Sequence, residues 1–280
     1  MPFAWGGAGG LTVSRLTFDT DLVVPAGLKI TVDHLGETTP AHGIVHDNKA
    51  LLDHLGETTP AHGIVFDNTA GPVPGTYLGT TIYSSGSGNH TTGANTHKVR
   101  VTCIGSGGPG GWGNVAGSAC GGGGGGGGAA VKTLTVNPST AYAYVVGAAG
   151  SQGASGSPGT QPSNGTNTTF VVGGTTVLGG AGTHGTGQDA AGYAAGGAGG
   201  AASGGDFNFP GTAGEYAGLW GSVKLGGSGG SAGIGGGGVG FDASAAGTAG
   251  QAPGGGGAGA IGTNLGGAGT AGLIIVEEFV

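Results

Sequence analysis

Hydrophobic and polar positions alternate with a period of two over several short stretches of this chain. Residues 11–18 (LTVSRLTF), 98–104 (KVRVTCI), 130–136 (AVKTLTV), 141–146 (AYAYVV) and 273–279 (LIIVEEF) each predict a β-strand. Residues 170–178 (FVVGGTTVL) place Gly-Gly between two β-branched arms and predict a two-residue hairpin. Residues 21–24 and 28–32, joined by Pro25, Ala26 and Gly27, predict another. Residues 77–83 (YLGTTIY) form one strand-like piece in a Gly/Ser/Thr-rich connector over 73–97. The expected class is all-β, with no α-helix beyond short turns.

A second period runs between the strands. Glycine recurs every third residue at Gly147, Gly150, Gly153, Gly156 and Gly159, at Gly179, Gly182 and Gly185, at Gly227, Gly230, Gly233 and Gly236, and at Gly256, Gly259 and Gly262. Three residues per turn is the polyproline-II period, a helix with no internal hydrogen bonds. Its N–H and C=O groups point outward and must be paired when buried. Several such helices packed side by side pair these groups with one another, provided no Cβ stands between them. A helix at the edge of such a stack needs glycine on one or two faces, and a central helix needs it on all three. Gly121, Gly122, Gly123, Gly124, Gly125, Gly126, Gly127 and Gly128 run without a break and predict the central helix, about 25 Å long. The expected fold is therefore a stack of polyglycine-II helices framed by β-strands.

Composition agrees with a folded but unusual chain. Of 280 residues 76 are glycine, only 8% are charged and 36% are hydrophobic. Disordered chains are typically richer in charge and poorer in apolar residues, and a collagen would need continuous Gly-x-y with much proline. Residues 1–97 hold 15 of the glycines, so a boundary falls near Lys98. Before it lies a tandem duplication: residues 33–45 (DHLGETTPAHGIV) recur unchanged at 53–65, one structural unit stacked on the next. The predicted organisation is a β region over 1–32, the repeat over 33–72, the connector over 73–97 and the glycine-rich domain over 98–280. Seven basic residues and a net charge of −7 exclude a nucleic-acid stripe. No apolar run approaches the ~20 residues of a membrane span, and the opening MPFAWGGAGG lacks the basic and apolar regions of a signal peptide. Cys103 sits in an apolar strand and reads as a buried free thiol, and a pair with Cys120 cannot define a disulfide framework.

Four stretches carry a resemblance: HKVRVTCIGSGGPGGWG (97–113), GGGGGAAVKTLTVNPSTAYAYVVGAAG (124–150), TTFVVGGTTVLGGAGTHG (168–185) and the ending GGAGTAGLIIVEEFV. In content and order they resemble the glycine-rich C-terminal domain of bacteriophage tail-fibre proteins, and the stack is similar in principle to the tip adhesins of T-even-like phages. The resemblance implies a virion component that binds a host-surface receptor, protein or glycan, through loops joining the helices. It implies that the N-terminal region joins other tail or baseplate proteins. Fibre proteins of this sort are usually trimers, and the thin repeats also point to a homotrimer; one copy capping a different trimeric fibre is the other arrangement.

The loops between glycine blocks hold the candidate contact residues: Gln188, Asp189 and Tyr193 in one, Asp206, Phe207, Asn208, Phe209, Glu215, Tyr216 and Trp220 in a second, and Phe241 and Asp242 in a third. Rigid aromatics suit recognition. For Phe207, Phe209 and Trp220 a cap on the end of the stack is equally open. The polar run 159–167 reads as an exposed loop able to hydrogen-bond a glycan. His34, His42 and His46 could form metal rings in a trimer, but Phe66 replaces the last in the second copy, so these side chains read as turn-stabilising and no metal or cofactor is expected. No nucleophile elbow and no paired carboxylate motif is present, so no enzyme is expected. Two other classes are a polyglycine-II ice-binding protein, usually one uniform flat array, and a Gly-Ala-rich bacterial cell-surface protein.

Overall fold

A computed structural model describes residues 75–113, 119–155, 159–188, 193–220, 223–233, 235–240 and 245–280. The chain divides into two units, Met1–Asn68 and Thr69–Val280, and the second is the subject here. The predicted N-terminal strands, the 33–72 repeat and its histidines lie outside the described residues.

Twelve strands and no helix are found among the described residues. In chain order they are β1 (Tyr77–Tyr83), β2 (Ser87–Thr91), β3 (Lys98–Ile104), β4 (Ala129–Thr135), β5 (Ala141–Val145), β6 (Thr168–Val172), β7 (Thr175–Gly179), β8 (Ala202–Ser203), β9 (Phe207–Phe209), β10 (Gly218–Trp220), β11 (Val223–Leu225) and β12 (Leu273–Phe279). They form two antiparallel sheets, β1-β12-β3-β4-β9 and β2-β5-β6-β7-β8, and a small β10-β11 hairpin. The alternation read from sequence is the reason for the packing. On β3, Val99, Val101 and Cys103 are buried while Lys98 and Arg100 are exposed. The buried set meets Phe170, Val172 and Val177 of the other sheet, with Ile274 and Val276, in one core. Burial pushes the Cys103 thiol up to about 12, so it stays a neutral apolar filler. Gly173 and Gly174 both have positive φ, as the predicted Gly-Gly turn of β6 and β7 requires. The connector supplies two strands, β1 and β2, one to each sheet. Polar SGNHT gave β2 no apolar alternation to read, because only its His90 is buried.

The glycine segments extend from the sandwich. Each keeps the register of the strand pair that precedes it. Ile104 opposes Ala129 in the β3–β4 ladder, and beyond it Gly105, Gly108 and Gly111 donate to the carbonyls of Gly128, Gly125 and Gly122. Ala129 opposes Phe209, and Gly126 and Gly123 go on to donate to Thr212 and Glu215.

Segment 121–128 is the predicted centre. Its eight N–H groups all donate to backbone carbonyls at 2.7–3.0 Å: Gly121, Gly124 and Gly127 to Ala260, Gly257 and Gly254; Gly122, Gly125 and Gly128 to Thr186, Thr183 and Gly180; Gly123 and Gly126 to Glu215 and Thr212. Its carbonyls accept from three further segments, 105–111, 197–200 and 227–230. Six neighbours and a three-residue repeat define polyglycine-II packing. A Cβ built on Gly124 would stand 2.1 Å from the Gly108 carbonyl oxygen, and at the other seven positions it would stand 1.9–2.6 Å from a backbone carbonyl oxygen.

Segment 254–262 is a second centre. It donates to 227–230, 108–111 and 245–248, and accepts from 121–127, 267–270 and Gly238. Its sequence, GGGGAGAIG, admits Ala258, Ala260 and Ile261, all buried, so it lacks the unbroken glycine run that marked the first centre.

The run 159–167 is not a free polar loop. Thr160, Ser163 and Thr166 accept with their hydroxyls from the N–H groups of Ala154, Ser151 and Ala148. Asn167, Asn164 and Gln161 accept with their side-chain carbonyls from Ala181, His184 and Gly187. Two interleaved three-residue patterns thus pair the backbones on either side. Side chains here do what backbone does inside the stack, and Thr160, Gln161, Ser163, Asn164, Thr166 and Asn167 remain exposed, as the sequence led us to expect.

One polar tie joins the two sheets. His90 of β2 is buried, with Nδ1 3.0 Å from the Tyr83 hydroxyl and Nε2 3.0 Å from Oε1 of Glu278 on β12. The Nε2 contact lies off the line of a well-aligned hydrogen bond, so it is chiefly electrostatic. Glu278 Oε2 accepts from the Gly93 N–H at 3.0 Å and from the Thr96 hydroxyl. Burial holds the His90 pKa below its usual 6.5, the Glu278 charge offsetting only part of the effect. Burial pushes Glu278 up, but Thr96, Gly93 and His90 together bring it below 4.5.

Two outcomes follow from this packing. Gly124→Val should abolish cooperative thermal unfolding, while Gly79→Ala on β1, where a Cβ meets nothing within 4 Å, should change stability by about 0.5 kcal/mol or less; equal melting of the two variants would contradict a packed centre. Both shifted groups favour the forms present at neutral pH, so the stability they contribute is complete above about pH 6.5 and falls with pH, first because buried His90 must take up a charge whose desolvation Glu278 only partly offsets, and then below 4.5 because Glu278 is neutralised. Melting temperature measured from pH 7 to 4 should fall accordingly, and His90→Gln should flatten the upper part of that fall.

Candidate functional site

The hydrogen-bond layers give the stack two ends. At the sandwich end Gly105, Gly128, Gly180, Ala201 and Gly254 lie in register, and at the far end Gly111, Gly122, Thr186, Ala195 and Ala260 do. Chain reversals at the far end lie between segments 105–113 and 119–128, 179–188 and 193–201, and 211–217 and 226–233.

The candidate residues divide between these ends. Asp206, Phe207, Asn208 and Phe209 belong to the sandwich, where β9 pairs with β4 through Phe207–Val131 and Phe209–Ala129. Asp206 accepts from the Thr133 N–H at 3.0 Å and from Lys132 Nζ at 2.9 Å, and these bonds hold its carboxyl below the usual range. Asn208 bonds both the N–H and the carbonyl of Gly205 through its side chain. Both polar residues therefore anchor a strand end. Phe207 and Phe209 are exposed on the sheet, with the Phe209 Cβ against the turn at Gly233.

Glu215 and Tyr216 lie in segment 211–217, so 206–220 is not one loop. The Glu215 N–H donates to Ser228 and its carbonyl accepts from Gly123, leaving its side chain and that of Tyr216 pointing outward. Trp220 lies on β10 at the far end, its backbone paired with Val223. The rise of segment 211–217 separates it from Phe209 by roughly 20 Å.

The far end gathers Gln188, Tyr193, Tyr216 and Trp220. Gln188 Nε2 donates to the Tyr193 carbonyl at 2.7 Å and closes that turn. The Tyr193 ring stands over Gly218, where a Cβ would meet ring carbons at 2.7 Å. Tyr193 and Tyr216 are 62% and 74% exposed. Asp189, Phe241 and Asp242 fall outside the described residues. Trp112 also belongs to this end, buried where a Cβ on Gly159 or Gly187 would strike its ring. Its position within GGPGGWG was the available signal, a lone aromatic in a glycine block.

The model of the glycine-rich domain family matches residues 81–278. The chain belongs to this family. No curated protein matches the sequence. The family match runs from within β1 to within β12, so the glycine-rich domain comprises both the sandwich and the stack. Among its described residues no three His, Cys, Asp or Glu side chains are grouped to hold a metal. What the far end offers chemically is aromatic and amide surface on a rigid backbone.

Proposed function

We propose that this glycine-rich domain is the tip of a bacteriophage tail fibre and binds a receptor on the bacterial surface with the far end of its stack. The observation that carries the reading is the placement of exposed Tyr193 and Tyr216 on backbone segments bonded to the two-centred array. Recognition gains from side chains that lose little freedom on binding, and an aromatic on a rigid backbone loses least. The order of strands and glycine blocks, which resembles phage tail-fibre domains, supports the same reading. In it, residues 1–72 join the tail and form a trimeric shaft, the protein acts on the virion, and it binds without catalysing a reaction. The receptor is a protein or a glycan of low negative charge, because the far end has little basic character to attract an anionic polymer.

The test is binding of the purified full chain to bacteria carrying single defects in pili, outer-membrane proteins or surface glycans. One defect should abolish binding. Tyr193→Ala and Tyr216→Ala should each weaken binding to intact cells by about tenfold or more, with Val145→Ser in the sandwich unchanged. Full binding by the double tyrosine variant would remove the far end from the site.

A further inference from the structure

The outer face of the first sheet carries a second apolar surface, far from the proposed receptor site. The register of this sheet places Phe207, Val131, Thr102, Ile275 and Ile82 side by side on β9, β4, β3, β12 and β1. Their inward neighbours, Ala130, Cys103 and Ile274, are buried in the core, so this row points outward. Phe207 is 65% exposed and Ile82 61%. The next outward row, away from the stack, is Thr133, Arg100, Glu277 and Thr80. Arg100 and Glu277 in it form a bidentate pair, both bonds 2.6 Å. On the stack side, the turn at Ala232 covers Ile104, Ala129 and Leu273. Among the described residues the first row has no such cover.

We propose that this face binds the same face of a second copy of the chain, about a two-fold axis parallel to the strands and between β3 and β12. That axis exchanges the places of β3 and β12, and of β4 and β1. Val131 of each copy then meets Ile82 of the other, Thr102 meets Ile275, and Thr133 meets Thr80. Arg100 of each copy faces Glu277 of the other, so two intrachain pairs merge into a four-membered charge cluster with no unpaired charge. The alternative axis, along β3 itself, would set Arg100 against Arg100. The face is thus complementary to itself along its apolar row and at Arg100 and Glu277, with exposed Lys98 of each copy opposite Phe279 of the other, which favours a second copy over a partner of one charge sign. The four seven-residue strands that overlap about this axis, β1, β12, β3 and β4, lie about 4.8 Å apart and present roughly 450 Å² per copy. About 900 Å² in total lies in the range of weak, transient interfaces, which corresponds to a dimer that dissociates on dilution. Large exposed apolar patches on a chain this poor in charge otherwise favour aggregation.

Sedimentation of the full chain over a concentration series reads this directly. A doubling of mass with concentration should appear, whatever assembly state residues 1–72 confer. Ile82→Asp, at an exposed edge-strand position, should shift that step to roughly tenfold higher concentration or more. Arg100→Glu should weaken it, and Arg100→Glu with Glu277→Arg should restore it, a rescue that lost folding would not give. Tyr216→Asp should leave the step in place while weakening cell binding, which separates this interface from the receptor site. A wild-type chain with no concentration-dependent doubling, or an Ile82→Asp chain that doubles as the wild type does, would overturn the proposal.

Discussion

A buried backbone with no internal hydrogen bonds must find a partner for every N–H and C=O outside itself. Segments 121–128 and 254–262 meet that demand on six sides each. The six-sided arrangement allows a side chain only where no neighbouring backbone approaches, and at the first centre there is no such direction. Glycine there is a steric requirement, and the rest of the domain is arranged around it. Over 181–186 the outer segment needs glycine only toward the centre, at Gly182 and Gly185, and carries Ala181, Thr183, His184 and Thr186 elsewhere.

Ordering glycine costs about 1–2 kcal/mol per residue, close to what one net hydrogen bond and weak Cα–H···O contacts return. Such a stack has little stability of its own and no side chains to set its register. The sandwich supplies both. Its strand pairs bury Val99, Val101, Phe170, Val177, Ile274 and Val276, and each ladder passes its register into the glycine segments that continue it. Where the stack meets solvent, the hydroxyls and amides of 160–167 finish the pairing that a further glycine segment would otherwise have to provide. The domain is therefore a sandwich that sets alignment and a stack that transmits it to the far end.

This division also sorts the candidate contact residues. Asp206 through Phe209 looked continuous with Glu215, Tyr216 and Trp220 because only thirteen residues, without a long glycine run, separate Asp206 from Trp220 in the chain. The intervening residues span the stack, so the two groups sit at opposite ends. A period-three segment with Thr212, Ala213, Glu215 and Tyr216 at its outward positions does not look glycine-rich, and only Gly211 and Gly214 mark its inward face.

Local chemistry was enough for the strands with two-fold alternation among the described residues, the Gly-Gly turn and the central segment. Each of these is dictated by constraints acting over a few residues: which side is buried, which φ is allowed, whether a Cβ fits. Only the tertiary structure decided the second centre, the role of 160–167, the place of β2 and β9, and the grouping of aromatics at two ends. Those depend on which distant segment supplies the facing carbonyl. Ala258 is admitted and Gly124 is not because their neighbours differ, and one-dimensional spacing carries no record of neighbours brought from more than a hundred residues away.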